Sequence, residues 1–321
     1  MSDTSSPSST SPAAFDLATQ SSGVLITGAN GHLGRRLLRA LDQLAPGLAG
    51  RRALVRSASA EAALARSPHT GITAGSYTDP AVLERAIGVC DTVVHLVGII
   101  KESAASSFHD AHIGTTEALV AAAEAAGVRR IIYLSIVGAA LDHSNECLRT
   151  KAEAERRLVD SSVASTVLRV PMVLGEGDYA SAALRRRATA GRTLVFRADS
   201  LEQPIYAGDV VTAMLRAMER RDGADVRYDL PGPETLSRRA LIERAAAVLG
   251  QRISVRSLPI GLGMTMAWVL EKLTANPPVT RAMLGVLDHD DEASNVTALD
   301  ELPLELTDLD EMLRRCLELP A

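Results

Sequence analysis

The stretch Thr27-Gly28-Ala29-Asn30-Gly31-His32-Leu33-Gly34 constrains this chain more than any other. Val24-Leu25-Ile26 before it reads as a short apolar strand. Leu33, Leu37, Leu38, Leu41 and Leu44 after it recur on one helical face. The glycines stand at Thr-Gly-x-x-Gly-x-x-Gly spacing. Gly28 permits a tight turn, Gly31 lets a phosphate approach the backbone, and Gly34 lets helix and strand pack closely. The start of that helix offers free N–H groups and a positive dipole end to a pyrophosphate. Asn30, His32 and Leu33 complete the turn as candidate cofactor contacts. Between a strand and an amphipathic helix, the spacing points to a dinucleotide rather than to a plain turn.

The pattern continues as alternating strands and helices. Ala53–Val55 is a second strand ending at Arg56, and Ile72–Ala74 a weak third. Asp79-Pro80 opens a helix, with Asp as N-cap and Pro at the first helical position. Thr92–Val97 is a fourth strand with Gly98 at its end. A helix from Ser107 to Ala126 stops at Gly127. Ile131–Leu134 is a fifth strand ending at Ser135, Glu146–Val159 a helix, and Thr166–Arg169 a sixth strand. Such alternation implies an α/β fold with a doubly wound parallel sheet, whose ligands bind at the carboxyl ends of the strands. Val97, Gly98, Ser135, Pro171 and Val173 fall at or near those ends and join the candidate cofactor contacts.

Arg56 follows the second strand, where the adenosine ribose is read. An acidic residue there accepts from the 2′-hydroxyl of NAD, whereas an arginine pairs with a 2′-phosphate. Leu54-Val55-Arg56-Ser57 holds no acid, so NADP(H) is favoured over NAD(H). Arg35, just past Gly34, reads either as a further cation near the phosphates or as plain helix surface.

Beyond Arg169 the pattern is less regular. Tyr179–Gly191 and Gly208–Arg220 read as helices, and Val226–Leu230 as a strand. Ser237 caps a helix to Gly250, and Ile253–Val255 is a short strand. Thr307 with Asp310 caps a last helix through Leu317. Leu258–Leu273 is strongly apolar. It reads either as a core helix or as a surface touching a membrane, a respiratory partner or a hydrophobic substrate.

Composition sets outer limits. Aromatic residues make up 3% of the 321 residues and the net charge is −5, so no nucleic-acid surface is expected. Cys90, Cys147 and Cys316 are far apart, which fits a reduced, cytoplasmic setting, at most peripheral to the inner face of a membrane. Residues 1–21, rich in Ser, Thr, Pro and Ala, read as a disordered tail.

With the Thr27–Gly34 turn, Arg56, Gly98 and Lys151, and with Arg169-Val170-Pro171-Met172-Val173-Leu174-Gly175 and Gln203-Pro204-Ile205-Tyr206-Ala207-Gly208-Asp209-Val210, the chain resembles an extended or atypical short-chain dehydrogenase/reductase. It is most similar to the branch that contains the NADPH-binding accessory subunit of respiratory complex I and its bacterial relatives. The resemblance implies a Rossmann domain over 22–175, joined again by 203–230. A smaller, mainly helical substrate or partner domain is implied over 176–202 and 231–321.

Active members of that family use Tyr-x-x-x-Lys. Here Lys151 is present and Cys147 holds the tyrosine position. Ser135 stands where the family's serine lies, followed by Ile136 and Val137. The candidate catalytic set is therefore Lys151, Cys147 and Ser135. His112 replaces an asparagine usual in relatives, and His143 lies one turn before Cys147. His109, Asp110 and His112 lack a further ligand at matching spacing, so no metal is expected. Two functions stay open: an NADP(H)-dependent oxidoreductase, epimerase or dehydratase on a small or lipophilic molecule, and a non-catalytic NADPH-binding module of a respiratory or quinone-related assembly.

Overall fold

The computed structural model describes residues 15, 17, 22–48, 50–64, 70–103, 105–274, 277–287 and 293–318. The first half runs β1 (Val24–Thr27), α1 (His32–Leu44), β2 (Arg51–Val55), α2 (Ala58–Leu64), β3 (Gly71–Ala74), α3 (Pro80–Ile87), β4 (Thr92–His95), α4 (Thr115–Ala126), β5 (Arg130–Ile136), α5 (Glu146–Val159) and β6 (Ala164–Val170). The second half runs β7 (Val173–Leu174), α6 (Tyr179–Ala188), β8 (Arg192–Phe196), β9 (Leu201–Glu202), β10 (Ile205–Tyr206), α7 (Ala207–Glu219), β11 (Val226–Asp229), β12 (Leu236–Ser237), α8 (Arg238–Val248) and β13 (Ser254–Leu258). It closes with α9 (Ile260–Leu273), α10 (Arg281–Leu287), α11 (Val296–Glu301) and α12 (Leu309–Leu317).

Among the described residues, seven strands form one parallel sheet in the order β11-β6-β5-β4-β1-β2-β3. This is the doubly wound Rossmann arrangement. Its strand order reverses between β1 and β4, and the turn after β1 opens into that crevice. Helices cover both faces. On one, Leu37, Leu38 and Leu41 of α1 pack with Val210, Met214 and Met218 of α7 over Val24, Ile26 and Val94. On the other, Val82 and Leu83 of α3, Leu119 of α4 and Leu158 of α5 cover Leu25, Val93 and Ile131. Each such buried side chain contributes about 1.5–3 kcal/mol of transfer free energy. A third cluster, built by α6, α8, α12, β8 and β13, forms the core of the C-terminal region.

Several elements differ from the sequence reading. β4 ends at His95, two residues short of Val97, where its neighbour β1 also ends, with Thr27 paired to His95. The helix expected from Ser107 begins as a π-helical turn, His109–Gly114, before α4. Helix α6 ends at Ala188, and Arg192–Phe196 continues as a strand, absent from the sequence reading, that pairs in parallel with β13. The last helix is capped by Asp308, whose carboxylate accepts from the N–H groups of Asp310 and Glu311. Thr307 instead donates its backbone N–H (2.7 Å) and hydroxyl (2.8 Å) to Asp209. Most of the expected tail lies outside the described residues. Within it, Leu17 is fully buried and Phe15 lies 4.2 Å beneath the Arg216 guanidinium.

Leu258–Leu273 is not a core helix. In α9 only Gly263 and Ala267 are buried, and Leu262, Met266, Val269 and Leu273 form an exposed stripe. Trp268, the chain's single tryptophan, is half exposed on the same helix. No described helix is long and apolar enough to cross a membrane.

Candidate nucleotide and substrate site

The site is built outward from the turn after β1. Gly28 has φ +69°, the left-handed region that glycine tolerates without strain. A Cβ on Gly34 would lie 2.6 Å from Ala29 O and 2.7 Å from Ala29 Cα, so only glycine lets α1 start this close to the turn. Gly31 is the N-cap of α1, with no side-chain cap and no acidic residue in the first turn. The first N–H groups of α1, from His32 to Gly34, therefore have no side-chain cap, an arrangement that suits an anion. Asn30 lies within the same turn, half-buried.

Arg56 is exposed at the end of β2. Tyr77, a residue sequence reasoning passed over, is buried near both Arg56 and the Gly28 backbone. Burial raises its hydroxyl pKa, and the Arg56 charge and the Gly28 hydrogen bond pull the other way. Val97 and Pro171 are buried and Val173 half-buried at the carboxyl edge.

Lys151 projects from α5 to the ends of β4 and β5. Its Nζ donates to Leu134 O at 2.9 Å and lies 4.5 Å from the centre of the Tyr133 ring. A Cβ on Gly98 would come within 3.0 Å of that Nζ, so the glycine makes room for the ammonium. Burial lowers the Lys151 pKa to about 8, while Cys147 and Glu155 oppose the shift.

Cys147 does not stand in for a phenol. Its Sγ is buried and directed to Ile99 O at 3.7 Å. Burial pushes the thiol up to about 11, with Glu102 adding to the rise and Lys151 opposing it. Ser135 is likewise turned away. Its hydroxyl donates to the Glu155 carboxylate, which is also held by Arg169 at 2.6 Å and 2.9 Å. That buried set ties β5 and β6 to α5 and leaves the Ser135 hydroxyl no free hydrogen for a substrate.

Two histidines lie behind the lysine. His112, fully buried on the π-helical turn, contacts Thr150 Oγ1 through Nδ1 (2.9 Å) and the Ile99 backbone through Nε2 (3.0 Å to O). His95 lies 5.6 Å from Tyr133, ring centre to ring centre. Thr115 and Thr116 donate their hydroxyl hydrogens to Ala111 O and His112 O, so both accept from His95 Nε2. His95 Nδ1 then accepts from Thr27 at 2.6 Å. Burial, helped by the Lys151 charge, lowers both histidines to about 3, so both are neutral at physiological pH.

A family model described as NAD(P)H-binding matches residues 28–200. The chain belongs to this NAD(P)H-binding family. It is 26% identical to an Arabidopsis thaliana NADH dehydrogenase [ubiquinone] 1 alpha subcomplex subunit 9 over 90% of this chain and 74% of that protein. It is 28% identical to a Stenotrophomonas maltophilia 2-alkyl-3-oxoalkanoate reductase over 80% of this chain and 87% of the relative. Among solved structures, the Bordetella bronchiseptica enzyme WbmH in complex with NAD+ superposes with a TM-score of 0.69, at 17% identity, over 92% of this chain and 97% of that one. The matched residues begin at Gly28, the first glycine of the turn described above.

In this NAD(P)H-binding chain a cleft of about 700 Å³ opens beside the Cys147 turn. Phe108 and Glu102 line one side, His143 and Glu146 the head of α5, and Met264, Glu271 and Arg281 the helices α9 and α10. Phe108 also lies 5.7 Å from the His112 ring, which in turn lies beside Gly98. His143 sits on its wall and accepts the Asn145 N–H through Nδ1 at 2.9 Å. His109 and Asp110 are exposed on the opposite side of the π-helical turn from buried His112. No group of His, Cys, Asp and Glu among the described residues could hold a metal ion.

Proposed function

We propose that the chain is an NADP(H)-dependent oxidoreductase whose substrate occupies the cleft between α5 and the helices α9 and α10. The observation that carries the reading is the meeting of three features at one sheet edge: the uncapped start of α1, Arg56 at the end of β2, and Lys151 against Gly98. The α1 N–H groups would hold the pyrophosphate, Arg56 the 2′-phosphate, and Lys151 the nicotinamide ribose. The bound nucleotide would supply hydride. The chain itself orients, shields and holds charge around it. The reductase relative named above favours a reductive direction.

NADPH should bind at least about tenfold tighter than NADH, and Arg56→Asp should erase that preference, since one charged pair is worth about 1.4 kcal/mol or more. Equal affinities in a fluorescence titration of the unsubstituted protein would sink the role of Arg56.

The buried Cys147 thiol favours a second reading, a non-catalytic NADPH-binding module of a respiratory or quinone-related assembly. The complex I relative supports it, and the apolar stripe of α9 would be its partner or membrane contact. Nucleotide retained through purification without turnover on any quinone or carbonyl, together with co-purifying respiratory proteins, would establish this reading over the first.

A further inference from the structure

Gly98 and Lys151 meet at the edge of the sheet, and a single imidazole ties together the residues beside them. His112 Nδ1 lies 2.9 Å from Thr150 Oγ1, next to Lys151 on α5. Its Nε2 lies 3.0 Å from Ile99 O and 3.2 Å from Ile99 N, next to Gly98 after β4. Either tautomer completes the bridge. With the hydrogen on Nδ1, the ring donates to Thr150, whose hydroxyl donates in turn to Glu146 O at 2.8 Å, and Nε2 accepts the Ile99 N–H. With the hydrogen on Nε2, the ring donates to Ile99 O, and Nδ1 accepts from Thr150. In both states a neutral imidazole joins the loop after β4 to α5.

The ring is held from several sides. It is fully buried, Phe108 packs beside it, and the His112 carbonyl accepts from the Thr116 hydroxyl at 2.6 Å. The π-helical turn His109–Gly114 is a second, independent observation. Such turns change which side chains point inward, and they recur at functional sites. On this turn His112 is buried while His109 and Asp110 are exposed. The bridge also adjoins the contact it flanks. A Cβ on Gly98 would lie 3.0 Å from Lys151 Nζ and 3.6 Å from His112 Cδ2, so ammonium and imidazole converge on one glycine. Lys151 Nζ donates one hydrogen to Leu134 O, which leaves two for a ligand.

A dinucleotide whose pyrophosphate sits on the α1 turn extends its nicotinamide half along the same edge. We propose that His112 is a positioning residue for that half of NADPH. It holds the Gly98–Ile99 backbone and the Thr150–Lys151 turn at the spacing that lets Lys151 bind the nicotinamide ribose. This rests on the nucleotide reading above and adds what sets the geometry at the far end of the nucleotide. The adenosine half depends on the α1 turn and Arg56 and owes nothing to the bridge.

The test titrates two ligands onto the full chain: NADPH, and 2′,5′-ADP, which carries the adenosine and its 2′-phosphate but no nicotinamide ribose. His112→Leu replaces the ring with an apolar side chain of similar size and removes both contacts. It should weaken NADPH about tenfold and leave 2′,5′-ADP within about twofold. Thr150→Val cuts the bridge at its other end with His112 in place. It should weaken NADPH about threefold or more, again sparing 2′,5′-ADP. The double variant should match His112→Leu within about twofold, because both substitutions break one bridge. Should His112→Leu not fold, Thr150→Val carries the test by itself. Both ligands weakened by the same factor in a folded variant would make His112 a support of the fold and overturn the proposal. NADPH affinity unchanged in Thr150→Val, or losses that add in the double variant, would overturn it as well. If the unsubstituted chain bound 2′,5′-ADP as tightly as NADPH, the proposal would fall and the nucleotide reading would stand. Binding of neither ligand would overturn the nucleotide reading, and the proposal with it.

Discussion

Gly31 and Gly34 are three residues apart in one turn, yet the structure gives them separable duties. A Cβ at Gly34 would press into the Ala29 backbone at 2.6 Å, whereas one at Gly31 would meet only Gly28 O at 3.1 Å. Gly34→Ala should therefore cost about 1–3 kcal/mol in denaturant unfolding, because backbone must move to admit it. Gly31→Ala should leave the unfolding midpoint nearly unchanged and weaken NADPH more than about tenfold, since the methyl group would meet the phosphate rather than the protein. Ser135 carries a further residue-scale prediction. Ser135→Ala should cost about 1–2 kcal/mol through the lost bond to Glu155 and leave NADPH affinity within about twofold. A large loss of nucleotide affinity would return Ser135 to the cofactor site. The glycine spacing was legible because backbone conformation and close approach restrict residue type directly. The direction of Ser135 was not, because its partners Glu155 and Arg169 lie 20 and 34 positions along the chain (155 − 135 and 169 − 135).

At the scale of elements, α5 joins the site to the C-terminal helices through one side chain. Asn145 Oδ1 accepts from the N–H of Cys147 (2.9 Å), capping the helix, while Nδ2 donates to Ala282 O at 2.9 Å. Asn145→Asp keeps the cap and loses the donor, whereas Asn145→Ala loses both. Thermal unfolding should therefore separate a cap worth about 1 kcal/mol, lost only in the alanine variant. Protease nicking near α10 should increase in both, and unchanged nicking in Asn145→Asp would discount the bridge to Ala282. Helix α5 itself was readable from its period, but this bridge joins positions 137 apart, which no local pattern records. The π-helical turn at His109–Gly114 was hidden for another reason. One extra residue per turn scarcely alters an alanine-rich pattern, and the turn is fixed by His112 packing against Ile99 and Thr150. The β8–β13 pair escaped notice because its register joins Arg192 to Ser254, across α7 and α8.

For the whole molecule, the parallel sheet followed from strand–helix alternation, since parallel neighbours need crossovers and the helices supply them. The C-terminal region has short strands and distant pairings, so its architecture depends on contacts rather than on period. Acid stability is a property of the whole fold. His95 and His112 have folded pKa values of about 3, well below the ordinary 6.5, chiefly through burial. Between those values the unfolded chain binds protons that the folded chain does not, so stability rises with pH across the window and is fully present above about 6.5. Unfolding free energy should fall on acidification below that point, by up to about 1.4 kcal/mol per pH unit for each histidine. A flat profile between about pH 4 and pH 6.5 would show that neither ring is held neutral.

Trp268 gives the molecule a built-in optical reporter. It is the chain's single tryptophan, half exposed on α9, the helix that also carries exposed Leu262, Met266 and Val269. Intrinsic emission under selective excitation therefore comes from one indole on one helix, with no second source to average against. A partner or lipid that covers α9 would shift that emission to shorter wavelength. Reduced nicotinamide bound nearby would instead quench it by resonance energy transfer without a shift. Occupancy of the cradle and coverage of α9 can thus be followed in unlabelled protein as two distinct spectral changes.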